Sequence, residues 1–186
     1  MTFSEGSSYT GQVSLNAIMS ITIKKIEENL YKPTVEMITD FFNYHRKLTN
    51  APKEFWQVNE ESEKDLKEWL HDGHVYNIFL QDELIGFIHL RFGGQDAAWL
   101  EDIFIVDEYR GKGLGKEAIK EIDKLMEEKH IKAMFVDVIP RNSSAIKLYK
   151  ECGFDHLNMI QLRKNYDKTL NKSEHIEVLG FDFIKY

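Results

Sequence analysis

Apolar positions along the chain follow two periods, and each change of period marks an element. Ile21, Ile23 and Ile26 alternate, with one slip, and predict a strand over residues 20–26. From Pro33-Thr34 the spacing turns helical. Val35, Ile38, Phe41, Phe42, His45 and Leu48 share one stripe, and Asn50-Ala51-Pro52 stops it. The polar stretch Lys53–Glu60 carries two large aromatics, Phe55 and Trp56, readable as satellite core or as a wall of a substrate site. Ser62 is the predicted cap of a second helix, with Leu66, Trp69 and Leu70 on one face and Gly73 past its end. His74–Leu80 and Glu83–Phe92 read as strands joined by Gln81-Asp82, and Gly93-Gly94 turns the chain into a third, Trp99–Val106. Three consecutive strands with short links predict an antiparallel meander.

A glycine turn, Arg110-Gly111-Lys112-Gly113-Leu114-Gly115, then opens a helix striped by Leu114, Ala118, Ile119, Ile122, Leu125 and Met126. The strand Ile131–Ile139 follows, and strand–helix–strand order predicts a parallel crossover pair. Pro140 ends that strand. Asn142 or Ser143 caps a short helix carrying Ala145, Ile146, Leu148 and Tyr149, and Gly153 ends it. Two further β-rich stretches, Leu157–Leu162 and Ile176–Ile184, flank a polar loop near Asp167–Glu174. The predicted class is α/β, a mixed, mostly antiparallel sheet with flanking helices.

Composition narrows this picture only in part. With 186 residues the chain suits a single domain with a substantial core. Residues 1–18, rich in Ser, Gly and Thr and lacking the regions of a signal peptide, read as an extension, disordered or added by cloning; the domain is expected over 19–186. No apolar run approaches the roughly 18 residues of a membrane span. One cysteine, Cys152, excludes an internal disulfide framework and fits a reducing cytoplasm. A net charge of −7 gives no general attraction to nucleic acid or anionic lipid and favours a cationic small-molecule partner. The sequence leaves a homodimer open.

Among chemical motifs, the glycine turn stands out. Amides of a first helical turn lack intrahelical acceptors, and the helix dipole adds positive potential there. Gly113 and Gly115 would let backbone approach an anion, and Lys112 and Lys116 add charge. The turn is not a Walker motif, lacking the Lys-Ser/Thr pair, and a dinucleotide fingerprint would need glycine at Ala118. No metal site is expected, since H-E-x-x-H is absent and one cysteine cannot build a thiolate cage. Cys152 reads as a small core residue.

The pattern Arg110-Gly111-Lys112-Gly113-Leu114-Gly115, followed by Asn142-x-x-Ala145-x-x-x-Tyr149-x-x-x-Gly153-Phe154, resembles the GNAT superfamily of acetyl-CoA-dependent N-acetyltransferases. The resemblance runs from Met19 to Tyr186 in element order and is sharpest from Trp99 to Phe154. It implies the GNAT fold, with the parallel strands splayed at the coenzyme site. It implies that Gly111–Lys116, introduced by Arg110, hold the coenzyme A pyrophosphate, and that the backbone of Ile103, Phe104 and Ile105 pairs with pantetheine. It further implies that Asn142, with Ala145, hydrogen-bonds pantetheine, and that Tyr149 protonates the departing thiolate; a core aromatic is the other reading of Tyr149.

An alkyl ammonium with pKa near about 10.4 must lose a proton before attack, a cost of roughly 4 kcal/mol at neutral pH. Glu101, Asp102 and Asp137 are the candidate bases. Strand alternation places Glu101 with Ile103 and Ile105 and Asp102 on the opposite face. The run Leu100-Glu101-Asp102-Ile103-Phe104-Ile105 also resembles the matching strand of diamine (spermidine/spermine) acetyltransferases, whose glutamate at the Glu101 position contacts the amine. Glu101 is therefore favoured, with Asp137 second, and Phe55 and Trp56 as further substrate contacts. The expectation is acetyl transfer to the primary amine of a small cationic substrate, such as a polyamine or an amino sugar. The rivals are acetylation of a protein N-terminus or lysine, and a non-catalytic acyl-CoA sensor.

Overall fold

The computed structural model describes residues 20–186. The predicted extension at 1–18 thus lies outside the described residues. Five strands form one sheet in chain order. β1 (Ile21–Lys25), β2 (His74–Leu80), β3 (Glu83–Gly93) and β4 (Ala97–Ile105) pair antiparallel, and β5 (Ala133–Val136) closes the series parallel to β4. Both the meander and the crossover pair are as the periodicity predicts.

Each face of the sheet has its own core. α1 (Tyr31–Leu48) and α2 (Asn59–Asp72) cover one, where Ile38, Phe41 and Leu66 meet Val75, Phe87 and Phe104. α3 (Leu114–Glu128) covers the other, where Leu114, Ala118 and Ile122 meet Ile88, Leu90, Leu100 and Ile105. α4 (Ser143–Glu151) follows β5, and Tyr149 packs onto the α3-side core. Burying two apolar stripes against opposite faces of one sheet is the main stabilising term, about 25 cal/mol for each Å² removed from water.

Several local expectations change. α2 begins at Asn59, so Ser62 lies inside its first turn; its hydroxyl is buried and accepts a hydrogen bond from Thr39 Oγ1 at 2.7 Å. The helix start is instead held by Glu61, whose carboxylate accepts the Val58 amide at 3.2 Å. β5 ends at Val136, three residues short of Ile139. Leu157–Leu162 is no strand. Its apolar side chains stand in solvent, since no described strand offers that stretch a ladder, and β6 (His175–Val178) and β7 (Phe181–Ile184) pair only with each other.

The closest backbone approach in the sheet is at Gly86 of β3, where a Cβ would stand 2.1 Å from the Phe104 carbonyl oxygen. Gly86→Ala must therefore part β3 from β4. We expect a loss of about 3 kcal/mol, at the upper end for overpacking, measured by chemical denaturation.

Candidate active site

A single extra residue shapes the site. Along β3 and β4 the register runs His89 opposite Asp102, then Leu90 opposite Leu100, so Glu101 is an inserted residue, a β-bulge. The insertion overturns the facing that simple alternation gives. Asp102 lies beside His89, and Glu101 beside Arg91, both on the α1–α2 side of the sheet; Leu100, Ile103 and Ile105 stay on the α3 side. The parallel ladder between β4 and β5 covers only Ala97–Leu100 and stops where the bulge begins. Beyond it, residues 101–104 of β4 have no strand partner on that side among the described residues. Phe104 buries its ring in the α1–α2 core, and the Ile105 carbonyl is taken by Arg110 Nε at 2.7 Å.

The chain past β4 makes the glycine turn. Gly111 and Gly113 have φ of +73° and +81°, conformations that L side chains seldom adopt, and a Cβ at either would meet nothing within 4 Å. Lys116 and Glu117 are the first amides of α3 to find a backbone acceptor, both on the Gly113 carbonyl. Those of Gly113, Leu114 and Gly115 have none among the described residues, which leaves a row of donors at a helix N-terminus. Two residues of the motif also make contacts within the protein. Gly115 has no side chain because α4 packs there, a Cβ standing 3.2 Å from Leu148. The Arg110 guanidinium turns inward, onto the Asp107 carboxylate at 2.6 Å and over the rings of Tyr44 and Phe104. Lys112 lies over the Tyr109 ring, and Lys116 lies one turn into α3.

The carboxylates separate sharply by partner. Glu101 accepts from Arg91 Nε at 2.5 Å, and the same guanidinium covers the Trp99 ring, which stacks on Phe135. Asp102 Oδ2 lies 3.0 Å from His89 Nδ1, and that imidazole stacks on Trp69 with centroids 4.4 Å apart. Asp137 is exposed beyond the end of β5, not on the strand as expected. Sequence reasoning missed His89, Arg91 and Trp69. The alternation Phe87, His89, Arg91 places all three on one face of β3, yet a strand pattern alone does not show that this face meets Asp102.

Tyr149 is largely enclosed, edge-on to Phe154. Its pKa is pushed up to about 12, first by burial and then by the negative charge of Asp102. The phenol therefore stays protonated over the working range. Asn142 caps α4: its Oδ1 accepts from the Ala145 amide at 3.2 Å and from Ser144 Oγ at 3.0 Å. The amide of Ala145 is thus committed within the helix start. Cys152 closes the same helix, half-buried, with burial raising its thiol.

Between α1 and α2 lies a cavity of about 520 Å³, where Phe55, Trp56 and Gln57 meet the carboxylates of Glu54, Glu61, Asp65 and Glu68 and the cations Arg46 and Lys64. Phe55 is 62% exposed at its rim, and Trp56, half-buried, donates Nε1–H to the Ala51 carbonyl. Burial raises the Asp65 carboxyl; Glu68, Glu61 and Asp102 add to that, while a hydrogen bond from Gln57 opposes it. His45 of α1 is lowered by burial, and Asp102 pulls it the other way. Asp102 therefore sits within electrostatic reach of α1, α2 and α4 at once.

Residues 40–154 match the model of the acetyltransferase (GNAT) family. The chain is 32% identical over 105 residues to the spermine/spermidine N(1)-acetyltransferase of Bacillus subtilis, a match covering 50% of this chain and 69% of that protein. It is 25% identical over 95 residues to the N-acetyltransferase YycN of the same organism, covering 49% and 61%. In fold it resembles the PaiA N-acetyltransferase of Thermoplasma acidophilum, solved in complex with coenzyme A. There the TM-score is 0.66 at 23% identity, over 76% of this chain and 94% of that one.

The high Tyr149 pKa has a direct optical consequence. A free tyrosine ionises near about pH 10. Replacing Tyr149 by Phe should leave the tyrosinate absorbance gained up to about pH 10.5 unchanged. If one tyrosine's share of that signal disappears, Tyr149 titrates normally.

Proposed function

The chain belongs to the acetyltransferase (GNAT) family, and on that premise we propose that it transfers the acetyl group of acetyl-CoA to a primary amine of a small cationic substrate, polyamine-like or an amino sugar. The observation that carries this reading is the β4 edge left outside the ladder, with the row of amides at one end and Tyr149 close enough to feel the charge of Asp102. Pantetheine carries amides that need partners, and a closed ladder would offer none. In this reading Glu101–Phe104, including Ile103, supply those partners, and the Asn142 amino group, left over after its oxygen caps α4, supplies another. The amides of Gly113, Leu114 and Gly115 hold the pyrophosphate, with Lys112 and Lys116 adding charge. Arg110 braces the turn from behind.

Tyr149 is the acid for the departing thiolate. Its elevated pKa keeps the proton available, and the thiolate takes it as the carbon–sulfur bond breaks. Glu101, neutralised by Arg91, contacts the amine beside the reacting nitrogen. The cavity under Phe55 and Trp56 receives the remainder of the acceptor. Its four carboxylates outnumber the two cations, Arg46 and Lys64, and beside two aromatic faces this net negative wall suits an extended polycation, whose methylenes cover the rings. The likeness to a spermine/spermidine acetyltransferase supports the same class. A lone half-buried thiol fits a reducing cytoplasm.

The test is release of free coenzyme A with a panel of polyamines, amino sugars, lysine and N-terminal peptides. Tyr149→Phe should lower kcat about 10²- to 10³-fold while the acetyl-CoA Kd stays within about twofold. Unchanged turnover would remove Tyr149 as the acid. Gly113→Glu should abolish acetyl-CoA binding in calorimetry with the circular dichroism spectrum intact, and binding at parental affinity would sink the pyrophosphate assignment.

A further inference from the structure

Glu101 and Asp102 are adjacent and face the same way, but they are not equivalent proton acceptors. Glu101 is tied to Arg91, a cation at any working pH, so protonating Glu101 leaves that guanidinium without its partner. Asp102 is paired instead with the Nδ1 of an imidazole, which is not a permanent cation. This second pair is also the more enclosed, its side chains 10% and 16% exposed for His89 and Asp102. The ring has little freedom. Trp69 stacks on it nearly parallel, at 13°, and Gly73 leaves it space that a Cβ, 2.8 Å from Nε2, would close.

We propose that Asp102 takes the proton from the acceptor's ammonium, and that His89 is a positioning residue which fixes Asp102 for this. The proposal deepens the acetyltransferase reading above and rests on it. The ammonium passes one proton to the Asp102 carboxylate, and the freed lone pair of nitrogen forms the bond to the thioester carbon. As that adduct collapses the carbon–sulfur bond breaks, and the sulfur takes its electrons and the Tyr149 proton. The second proton, from the nitrogen, restores the Tyr149 phenol, and the Asp102 proton leaves to solvent. The net result is amide, free thiol and one released proton. Ionisable groups face Asp102 from every side: His89 on β3, His45 on α1, Asp65 on α2 and Tyr149 on α4, with the Arg91–Glu101 pair next along the sheet.

The experiment uses the full chain with acetyl-CoA and the best amine of the panel, reading kcat across pH about 6.5 to 10 and acetyl-CoA Kd by calorimetry. Asp102→Asn should lower kcat at pH 7 by about 100-fold or more and leave the acetyl-CoA Kd unchanged. The deficit should narrow to within about tenfold near pH 10, where free amine is abundant. His89→Leu should cost about tenfold, and nothing further on the Asp102→Asn background. His89→Asn, whose amide can donate to the same carboxylate oxygen, should recover to within about threefold of the parent; this variant also serves if His89→Leu does not fold. Parental turnover by Asp102→Asn, or a deficit constant with pH, overturns the proton acceptor. The same pH-dependent loss in Glu101→Gln alone would move that role to Glu101. His89→Leu losses that add to those of Asp102→Asn, or a failed His89→Asn rescue, overturn the positioning role. A parent chain that binds acetyl-CoA but acetylates no amine defeats the acetyltransferase reading first, and this proposal with it.

Discussion

One inserted residue in β4 governs the site. The β3–β4 register shifts at Glu101, and at the same level the parallel β4–β5 pairing stops at Leu100, which leaves the β4 edge beyond it outside the ladder. The bulge also resets side-chain facing, so two consecutive acids reach the same side of the sheet. The open edge and the paired carboxylates thus meet at one level of the sheet. Burial of Phe87 and Phe104 under α1 on one face, and of Leu100 and Ile105 under α3 on the other, holds both strands rigid on either side of the irregularity.

Much of this was legible in the sequence, and what was not has a common reason. Helix stripes, the meander and the crossover pair follow from periodicity, because each element buries one face and repeats itself over several turns or pleats. The glycine turn was legible because left-handed backbone at Gly111 and Gly113 restricts residue choice. The bulge was not. It is a single-residue departure from a period of two, and the string Leu-Glu-Asp-Ile reads equally well with or without it. His89 escaped notice for the same reason: its meaning depends on the residue opposite, and that pairing depends on the register. Gly115 belonged to the motif yet answers to Leu148, a contact between helices 33 residues apart in sequence. Leu157–Leu162 alternates like a strand, but a strand also needs a partner.

In the proposed reading, the two halves of the site are built largely from different materials, which explains why one is easier to read than the other. The donor half is backbone: amides of a helix start and a strand edge, whose placement follows from element order and a few glycines. The acceptor half is made of side chains from four elements, β3, β4, α1 and α2, that meet only once the sheet and both helices have packed. Its chemistry is therefore a property of the tertiary structure.

That acceptor half resolves a conflict between binding and reaction. A carboxylate that attracts an ammonium also stabilises its charged form, raising the amine pKa and deepening the cost of deprotonation. A site lined by bare acids would hold a polyamine well and acetylate it slowly. In the proposed reading Glu54, Glu61, Asp65 and Glu68 outnumber Arg46 and Lys64 around the outer cavity, where net negative charge helps capture a cation. The two acids on the bulge each have a nitrogen partner, Arg91 on Glu101 and His89 on Asp102, which reduces the negative potential at the point of transfer. In the proposed reading, an amine that leaves the cavity for the bulge exchanges a net acidic wall for carboxylates already partnered by nitrogen, which stabilise its proton less.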